Sequence, residues 1–229
     1  MRQIVLDTET TGLSFAKGHR IVEIGCVEVK NYIPTGNTFH TYLNPNRSMD
    51  PGATKVSGIT DMMLMDKPEF KKIKKSFLEF LEDSPLVIHN AAFDMGFING
   101  ELSLLGHDPI PMQRAIDTVV IARKKFPGSP ANLDALCRRF DIDLSDRTKH
   151  GALLDAKLLA EVYLQLVGGR QQDLGLTGTL KTQDHSAQAY PIERPYQTPR
   201  DFMLNEEELN KHKAFLETLK NPLWKKYGD

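Results

Sequence analysis

Runs of apolar and β-branched residues, broken by single polar positions, occupy the first third of the chain and are typical of β-strands. Three such runs are present: "QIVLDTE" from Gln3, "RIVEIGCVEV" from Arg20 and "NTFHTYLNP" from Asn37. The connections between them carry Gly and Asn, as in "PTGN", and suit hairpins between antiparallel neighbours. We therefore predict an antiparallel meander of three strands.

The spacing of apolar residues becomes helical in the middle of the chain. The stretch "PEFKKIKKSFLEFLED" predicts a helix, because Phe70, Ile73, Phe77 and Leu81 recur at helical intervals. The next run, "PLVIHN", is short and apolar and predicts a central strand. A second helix is expected to begin near Phe93.

Strands and helices continue to alternate beyond this point. "RAIDTVVIARKKF" predicts a short strand running into a helix, with Asp117 as the N-cap. "NLDALCRRF" and "GALLDAKLLAEVYLQLV" predict two more helices. The second of them has an apolar stripe made of Leu154, Leu158, Val162 and Leu166. A meander followed by strand–helix alternation predicts an α/β fold in which a mixed sheet is flanked by helices.

The composition of the chain divides it into three parts. Residues 1–169 carry the strands and helices described above and predict one domain. Residues 170–200 are rich in Gln, Gly, Thr and Pro, which predicts a flexible linker. In residues 201–229 a helix is expected, because Asn205 and Glu208 have the spacing of a capping box. Three leucines share one face of that helix: Leu209, Leu216 and Leu219.

Charge and cysteine content narrow the function classes. The formal net charge is −1, which gives no sign of the strongly basic surface expected of a protein that binds nucleic acid unaided. If the substrate is nucleic acid, metal ions or a partner must supply much of the attraction. Cys26 and Cys137 match no zinc-ligand spacing and predict free thiols in a reducing compartment. With no apolar run near the roughly 20 residues of a membrane span, we expect a cytoplasmic protein without a membrane partner.

Acidic residues follow the predicted strands at positions that suit a metal site. Asp7 and Glu9 point to the same face of the first strand, since side chains alternate along a strand. Asp94 follows the next apolar strand, and Asp155 lies on an otherwise apolar helix. A simpler interpretation of Asp7 and Glu9 is that the strand has ended and both acids are solvated. For Asp94, the simpler interpretation is that the helix dipole favours an acid in the first turn of a helix. Asp155, however, lies amid core-facing residues, where an acid needs a partner.

The donor types indicate which ions these residues would bind. Carboxylate oxygens without a Cys or His cluster favour hard cations, Mg²⁺ or Mn²⁺. Two such ions about 3.5–4 Å apart stabilise both oxygens of an in-line phosphoryl displacement. His150, five residues before Asp155, lies in the polar loop "DRTKHG". A loop histidine is more often a surface residue, but beside a metal-bound water it suits a general base.

These motifs together resemble a known family. "DTETTG", "HNAAFD" and "HGALLD" are similar in order and spacing to the motifs of the DEDD-type 3′–5′ exonucleases, and the spacing of His150 and Asp155 marks the subclass with a catalytic histidine. "FPGSPANLDALCRRF" and "HGALLDAKLLAEVYLQLVGG" also resemble the proofreading epsilon subunits of bacterial DNA polymerase III. The resemblance covers residues 2–169 and implies a ribonuclease-H-like fold with a five-stranded sheet.

The resemblance also implies a role for each site residue. Asp7 would bridge two divalent cations, Glu9 and Asp155 would complete the tighter site, and Asp94 would serve the second. His150 would deprotonate the attacking water. Further residues would contact the 3′ end of a single-stranded or frayed DNA: Thr10, Thr11, Gly12, Leu13, Ser57, His89, Asn90 and Phe93. Among them Leu13 would wedge near the terminal base. Ser57, in "VSGI", departs from the histidine usual in the family, which puts that contact in doubt.

Two partner-binding segments are implied by the same resemblance. "QQDLGL", residues 171–176, looks like a sliding-clamp peptide with Gln171, Leu174 and Leu176 as contacts, although a Gln-rich linker also produces such strings by chance. Residues 201–229 would bind the catalytic alpha subunit of the polymerase. The expected contacts there are the three leucines of the helix and Trp224.

Two other functions remain open from the sequence. One is a standalone 3′–5′ exoribonuclease of the same fold, such as an oligoribonuclease or a tRNA-trimming enzyme, which would not need the linker and terminal helix. The other is an inactive module that tethers polymerase to clamp. The complete set of acids argues against the second alternative.

Overall fold

The computed structural model describes residues 1–145, 147, 149–168 and 205–220. Its strands are β1 (Arg2–Thr10), β2 (Ile21–Lys30), β3 (Ile33–Tyr42), β4 (Leu86–Ile88) and β5 (Ala115–Asp117). Its helices are α1 (Pro51–Ser57), α2 (Asp61–Leu64), α3 (Phe70–Leu81), α4 (Ala91–Leu104), α5 (Thr118–Lys125), α6 (Leu133–Arg139), α7 (Ala152–Leu166) and α8 (Glu206–Thr218).

Strand β1 lies in the middle of a mixed sheet. Among the described residues the sheet has five strands in the order β3-β2-β1-β4-β5. β1 pairs with β2, and β2 with β3, in antiparallel fashion, whereas β4 runs parallel to both β1 and β5. The predicted α/β class and the meander followed by parallel strands are confirmed.

Alternate side chains of β1 enter two separate cores. Ile4 and Leu6 pack with residues of α3 and α4, among them Phe77. Val5 faces the other way and packs with residues of α7, among them Leu159. Because full burial of such side chains stabilises the fold by about 1.5–3 kcal/mol each, the β1 register is strongly fixed. The alternation then determines where the acids at the end of β1 point.

The hairpin between β2 and β3 lies elsewhere than predicted. "PTGN" was expected to connect two strands, but Pro34 and Asn37 lie inside β3, and the turn is formed by Asn31 and Tyr32. Both turn residues have positive φ, 51° and 69°, as a two-residue hairpin turn of type I′ requires. The prediction was wrong because β3 is a largely exposed edge strand, where proline and glycine are tolerated.

Other boundaries differ in smaller ways. Helix α4 begins at Ala91, two residues earlier than expected, and the sequence analysis missed the short helices α1 and α2. The predicted N-cap is confirmed, since the Asp117 carboxylate accepts a hydrogen bond from the Val119 N–H. Both cysteines are free, as predicted, and both are buried.

The chain divides into two units, Met1–Thr177 and Gly178–Asp229. In the described part of the second unit, α8 begins as predicted, with the Asn205 side chain accepting a hydrogen bond from the Glu207 N–H. Leu219 lies just past the helix rather than on its last turn. Across the described ranges, no helix combines the length and apolar character needed to cross a membrane.

Candidate active site

The end of β1 brings two acids to one face of the sheet. Asp7 and Glu9 are separated by one residue and point to the side on which α7 packs. On the neighbouring strand β2, Gly25 lies opposite Asp7 and Glu23 lies opposite Glu9. Both β1 acids are partly buried, so their charges are poorly screened by water.

Helix α4 contributes a third acid from the other side of β1. Asp94 is buried and its Oδ1 accepts two hydrogen bonds from Thr8, one from the backbone N–H at 3.0 Å and one from the hydroxyl at 2.7 Å. These bonds fix the Asp94 carboxylate against the strand that carries Asp7. The position of Asp94 in the first turn of α4 also favours a negative charge.

Helix α7 contributes a fourth acid, Asp155, in its first turn. The Asp155 carboxylate is buried. Arg147 donates a hydrogen bond to each of its oxygens, from Nε to Oδ1 at 2.6 Å and from Nη2 to Oδ2 at 2.7 Å. His150 Nδ1 lies 3.2 Å from Asp155 Oδ2 and 2.8 Å from the Arg147 Nη2. Arg147 also pairs with Asp134. The acid on the apolar helix therefore has a cationic partner.

Burial raises the pKa values of Asp7, Glu9 and Asp94, and repulsion between carboxylates adds to the effect. Burial and then the charge of Asp94 raise the pKa of Asp7 well above its ordinary value. Burial and then the charge of Asp155 raise the pKa of Glu9 to about 8. Burial raises the pKa of Asp94, although the hydrogen bonds from Thr8 partly offset the effect. Such a cluster either holds protons or binds cations.

The donor geometry fits a divalent cation. Glu9, His150 and Asp155 each offer a ligand atom, and these atoms lie within 4.8 Å of one another. Asp7 lines the same cavity as His150 and Asp155. The carboxylate oxygens of Asp7, Glu9 and Asp155 suit Mg²⁺ or Mn²⁺ better than a softer metal.

A second cavity, of about 400 Å³, adjoins the acids and is large enough for a small ligand. Leu13 at its rim is 87% exposed, and Phe93 lies on its wall. The full lining is Thr8, Glu9, Thr10, Gly12, Leu13, Asp50, Pro51, Gly52, Ala53, Val56 and Phe93. Leu13 and Phe93 therefore form an apolar binding surface next to the charged surface of the acids.

Three of the predicted DNA contacts have hydroxyls that bond within the protein. The Thr11 hydroxyl accepts a hydrogen bond from the Arg20 N–H at 3.0 Å and lies 3.2 Å from His19 Nδ1. The Thr10 hydroxyl donates to the Gly12 carbonyl at 2.6 Å. Ser57 is buried, and its hydroxyl donates to the carbonyl one turn earlier in α1. These hydrogen bonds tie the three hydroxyls to neighbouring parts of the backbone.

His89 and Asn90 follow directly after β4, and Asn90 lines a cavity with Asp117 rather than with the acids of the cluster. His89 lines the cavity that contains Asp7, and its Nδ1 is 2.9 Å from the Thr118 hydroxyl. Burial lowers the pKa of His89, which favours the neutral imidazole. Asn90 starts α4 in the left-handed conformation, with φ of 66°, and its N–H donates to Asp117.

The sequence analysis missed Arg147 and Glu23. Glu23 is buried between two strands and was counted only as part of β2. A lone acid within an apolar strand was the available signal for it. For Arg147 the available signal was the number of acids predicted to lie close together, because buried acids need a positive charge nearby and a loop next to them can supply it.

The predicted partner contacts are only partly described. Leu209 and Leu219 are exposed, Leu216 is partly buried, and Phe215 is 60% exposed. The remaining ones lie outside the described residues: Gln171, Leu174, Leu176 and Trp224.

Comparisons with known proteins place this chain in a family. The model of the exonuclease family matches residues 4–163. The DNA polymerase III subunit epsilon of Rickettsia felis is 49% identical over 222 residues, covering 96% of this chain and 97% of the relative. That of Escherichia coli K12 is 47% identical over 225 residues, covering 94% and 92%.

Solved structures agree with this relationship. Exonuclease X in complex with 5′-overhanging duplex DNA is 26% identical with a TM-score of 0.55, and the match covers 72% of this chain and 90% of that one. The nuclease domain of 3′hExo, a DEDDh family member bound to rAMP, is 18% identical with a TM-score of 0.62 over 72% of this chain and 91% of that domain, which shows the shared fold. The chain belongs to the exonuclease family and, within it, to the epsilon subunits of DNA polymerase III.

Proposed function

We propose that this chain removes mispaired 3′-terminal nucleotides from DNA by two-metal hydrolysis at the cluster around Asp7. Its 3′–5′ exonuclease activity, proofreading role and dependence on divalent metal follow from its family. The observation that carries the finer assignment is the convergence of four buried or partly buried acids from β1, α4 and α7. The raised pKa values of Asp7, Glu9 and Asp94 support a site built for cations.

Each acid has a distinct position relative to the ions. Asp7 would bridge two cations, Mg²⁺ or Mn²⁺, because it is close enough to Asp94, Asp155 and Glu9 to feel the charge of each. Glu9 and Asp155 are assigned to one ion, and Asp94 to the other. When bound, the two ions supply positive charge that stabilises the attacking and leaving oxygens of the displacement.

His150 is assigned as the general base. A water oxygen forms the new bond to phosphorus, the bond to the 3′ oxygen of the penultimate nucleotide breaks, and a nucleoside 5′-monophosphate leaves. His150 would take the proton of the water at Nε2 when Nδ1 carries the ring proton and donates it to the Asp155 carboxylate, 3.2 Å away. Arg147 Nη2, 2.8 Å from Nδ1, must move away for this tautomer to form. The departing 3′ oxygen takes a proton from solvent.

The cavity beside the acids is assigned to the 3′-terminal nucleotide. Leu13 and Phe93 present apolar surface that suits a base, whereas Glu9 lies where the cavity meets the acids. His89 and Asn90 are assigned to the flank of the same cleft. Thr10, Thr11 and Gly12 act through the shape of their loop, since the two threonine hydroxyls are bonded internally.

The tail is assigned to partners within DNA polymerase III. Residues 1–169 form the exonuclease domain, residues 170–200 the linker, and residues 201–229 the segment that binds the alpha subunit. Exposed Leu209 and Phe215 on α8 support this assignment, because an isolated helix of this length is marginal in water without a partner. Residues 171–176 are assigned to the sliding clamp.

Digestion of a 5′-labelled primer with a mispaired 3′ terminus tests the catalytic assignment. The wild-type protein is expected to shorten the primer from its 3′ end with Mg²⁺ or Mn²⁺ and to stop with EDTA. Asp7→Asn should abolish cleavage, whereas Asp66→Asn, the same change at a 77% exposed site, should not affect it. An Asp7→Asn protein that stays within a few-fold of wild type would contradict the metal assignment.

Single-stranded RNA of the same sequence separates the alternatives. Cleavage of RNA without DNA would indicate an exoribonuclease, and cleavage of neither would indicate a tether. Deletion of residues 201–229 should abolish co-elution with the alpha subunit but leave cleavage of short single strands unchanged. Replacing Gln171 and Leu174 by Ala should weaken clamp binding alone. If the truncated chain still co-eluted with the alpha subunit, the docking surface would lie within residues 1–169.

A further inference from the structure

We propose that Glu23 is a positioning residue whose buried carboxylate holds the first turn of α7, and with it Asp155, against the catalytic strand. The inference rests on the metal-dependent function proposed above and deepens it. It concerns a side chain outside the four candidate metal ligands.

Both carboxylate oxygens of Glu23 are already engaged by the protein. Oε2 accepts the Ala152 N–H at 3.1 Å, and Oε1 lies 2.7 Å from His40 Nε2. The Glu23 side chain is only 3% exposed. Because its oxygens are directed at an amide and an imidazole, Glu23 has less capacity to bind a cation than the acids of β1. Its contacts are those of a side chain that supports a metal ligand.

Helix α7 begins without a cap of its own. Its N-cap residue is Gly151, which has no side chain, and Ala152 is the first residue of the helix. The N–H groups of a first turn lack partners within the helix, and a negative charge beside them is favourable. Glu23 supplies an oxygen and a charge from the neighbouring strand. The start of the helix is thereby tied to the sheet.

Gly25 brings the same turn into direct contact with the sheet. A Cβ atom at Gly25 would lie 2.2 Å from the carbonyl carbon of Ala152 and 2.3 Å from the Leu153 nitrogen. The first turn of α7 therefore rests on the backbone of β2. Across the sheet, Gly25 lies between Asp7 on β1 and His40 on β3. This seat of α7 on the sheet therefore lies directly beside Asp7.

The position of Asp155 follows from this seat. Asp155 lies three residues after Ala152, so a shift of the first turn moves its carboxylate relative to Asp7. A displacement of about 1 Å can cost 10²-fold in rate. The arrangement has an electrostatic cost, because the charge of Glu23 adds to the repulsion that raises the pKa values of Asp7 and Glu9. A fifth acid in this place is therefore costly unless its hydrogen bonds are needed.

Three variants separate hydrogen bonding from charge. Glu23→Leu deletes the acceptor, Glu23→Gln keeps an oxygen for the Ala152 N–H, and His40→Ala removes the other partner. Glu23→Leu is expected to weaken Mn²⁺ binding in calorimetry by about 10–100-fold. It should also accelerate amide exchange at Ala152 in the metal-free protein and lower kcat without raising the KM for DNA. Glu23→Gln should restore all three to within a few-fold of wild type.

Glu28→Leu is the matched control, because it deletes another buried glutamate of β2, one that pairs with Arg2. It should lower the melting temperature and leave Mn²⁺ affinity unchanged. If Glu23→Leu does not fold, His40→Ala decides the question: faster exchange at Ala152 and weaker Mn²⁺ binding are expected, and unchanged values would overturn the proposal.

Glu23→Gln as damaging as Glu23→Leu would also overturn the proposal, since charge rather than hydrogen bonding would then matter. The binding and exchange measurements do not depend on catalysis. A wild-type protein that binds Mn²⁺ but cleaves no DNA would refute the proposed function and leave this test standing.

Discussion

Arg147 occupies the place where a metal ion should bind Asp155, and removing it should have opposite effects with and without metal. Its guanidinium contacts both Asp155 oxygens, at 2.6 and 2.7 Å, and the two side chains are 7% and 4% exposed. A cation that binds Asp155 must displace this fork. We therefore expect Arg147 to stabilise the metal-free protein and to compete with the metal.

The size of the effect follows from the burial of the pair. Removing one partner of a buried ion pair costs about 3–5 kcal/mol, because the other charge is left uncompensated. Arg147→Gln keeps a donor near Asp155, so we expect the lower end, about 3 kcal/mol. For a chain of this size that corresponds to a fall of about 6–12 °C in the Tm of the metal-free protein.

The same free energy should appear as tighter metal binding. If the Arg147 pair is lost when Mn²⁺ binds, its removal strengthens binding by up to about 10²-fold, at 1.4 kcal/mol for each factor of ten. Thermal melts in EDTA and in saturating Mn²⁺, with calorimetric titration, measure both quantities. With saturating Mn²⁺ the variant should melt close to wild type.

Arg20→Gln provides a matched control. Arg20 forms a similar fork with the buried Glu101, at 2.6 and 2.5 Å, outside the acid cluster. Its loss should lower the Tm equally with and without Mn²⁺. An equal loss for Arg147→Gln in both conditions, or weaker Mn²⁺ binding, would refute the competition and make Arg147 part of the metal-loaded site.

Three further predictions concern protonation and the general base. Folding raises the pKa of Glu9 from 4.5 to about 8 and also raises that of Asp94. Between those two pH values the folded metal-free protein therefore binds more protons than the unfolded chain, and its stability should fall as the pH rises from the lower value to the upper one. Asp94→Asn should flatten that slope in melts with EDTA, and an unchanged slope would remove Asp94 from the cluster. Hydrogen bonds lower the pKa of Glu28 from 4.5 to about 2. The contribution of the Glu28 carboxylate to folding stability is therefore complete above the unfolded-state pKa and is lost as the pH falls through the folded-state pKa. In urea titrations Glu28→Gln should cost about 1.5–3 kcal/mol at neutral pH and approach wild type near the lower value; a constant difference would contradict the assignment. His150→Gln should slow cleavage by about 10²–10⁴-fold while Mn²⁺ still binds, and a retained rate would mean that another group is the base.

The local patterns of the sequence predict the elements that carry the acids. Alternation along β1 places Asp7 and Glu9 on one face, and helical spacing predicts α7 with Asp155 among apolar neighbours. These predictions depend only on the repeat of a strand or helix and on which side is buried. They hold because both faces of β1 are covered by packed helices.

The features that sequence analysis missed depend on contacts between distant segments. Glu23 and Ala152 are 129 positions apart, and nothing local to either indicates the hydrogen bond between them. Arg147 lies in a polar loop whose composition resembles that of any solvated turn. The hairpin at Asn31 was misplaced because proline and glycine normally mark turns, whereas an exposed edge strand accepts both.

The charge of the cluster explains how a nearly neutral chain can act on a polyanion. The four candidate ligands carry four negative charges when deprotonated, and Glu23 adds another beside them. A DNA 3′ end that approached this cluster without metal would be repelled by every acid in it. In the proposed two-metal arrangement, the cations would offset the four ligand charges and place positive charge next to the phosphate. Metal binding would then serve substrate binding as well as hydrolysis, which makes a formal net charge of −1 compatible with a nuclease.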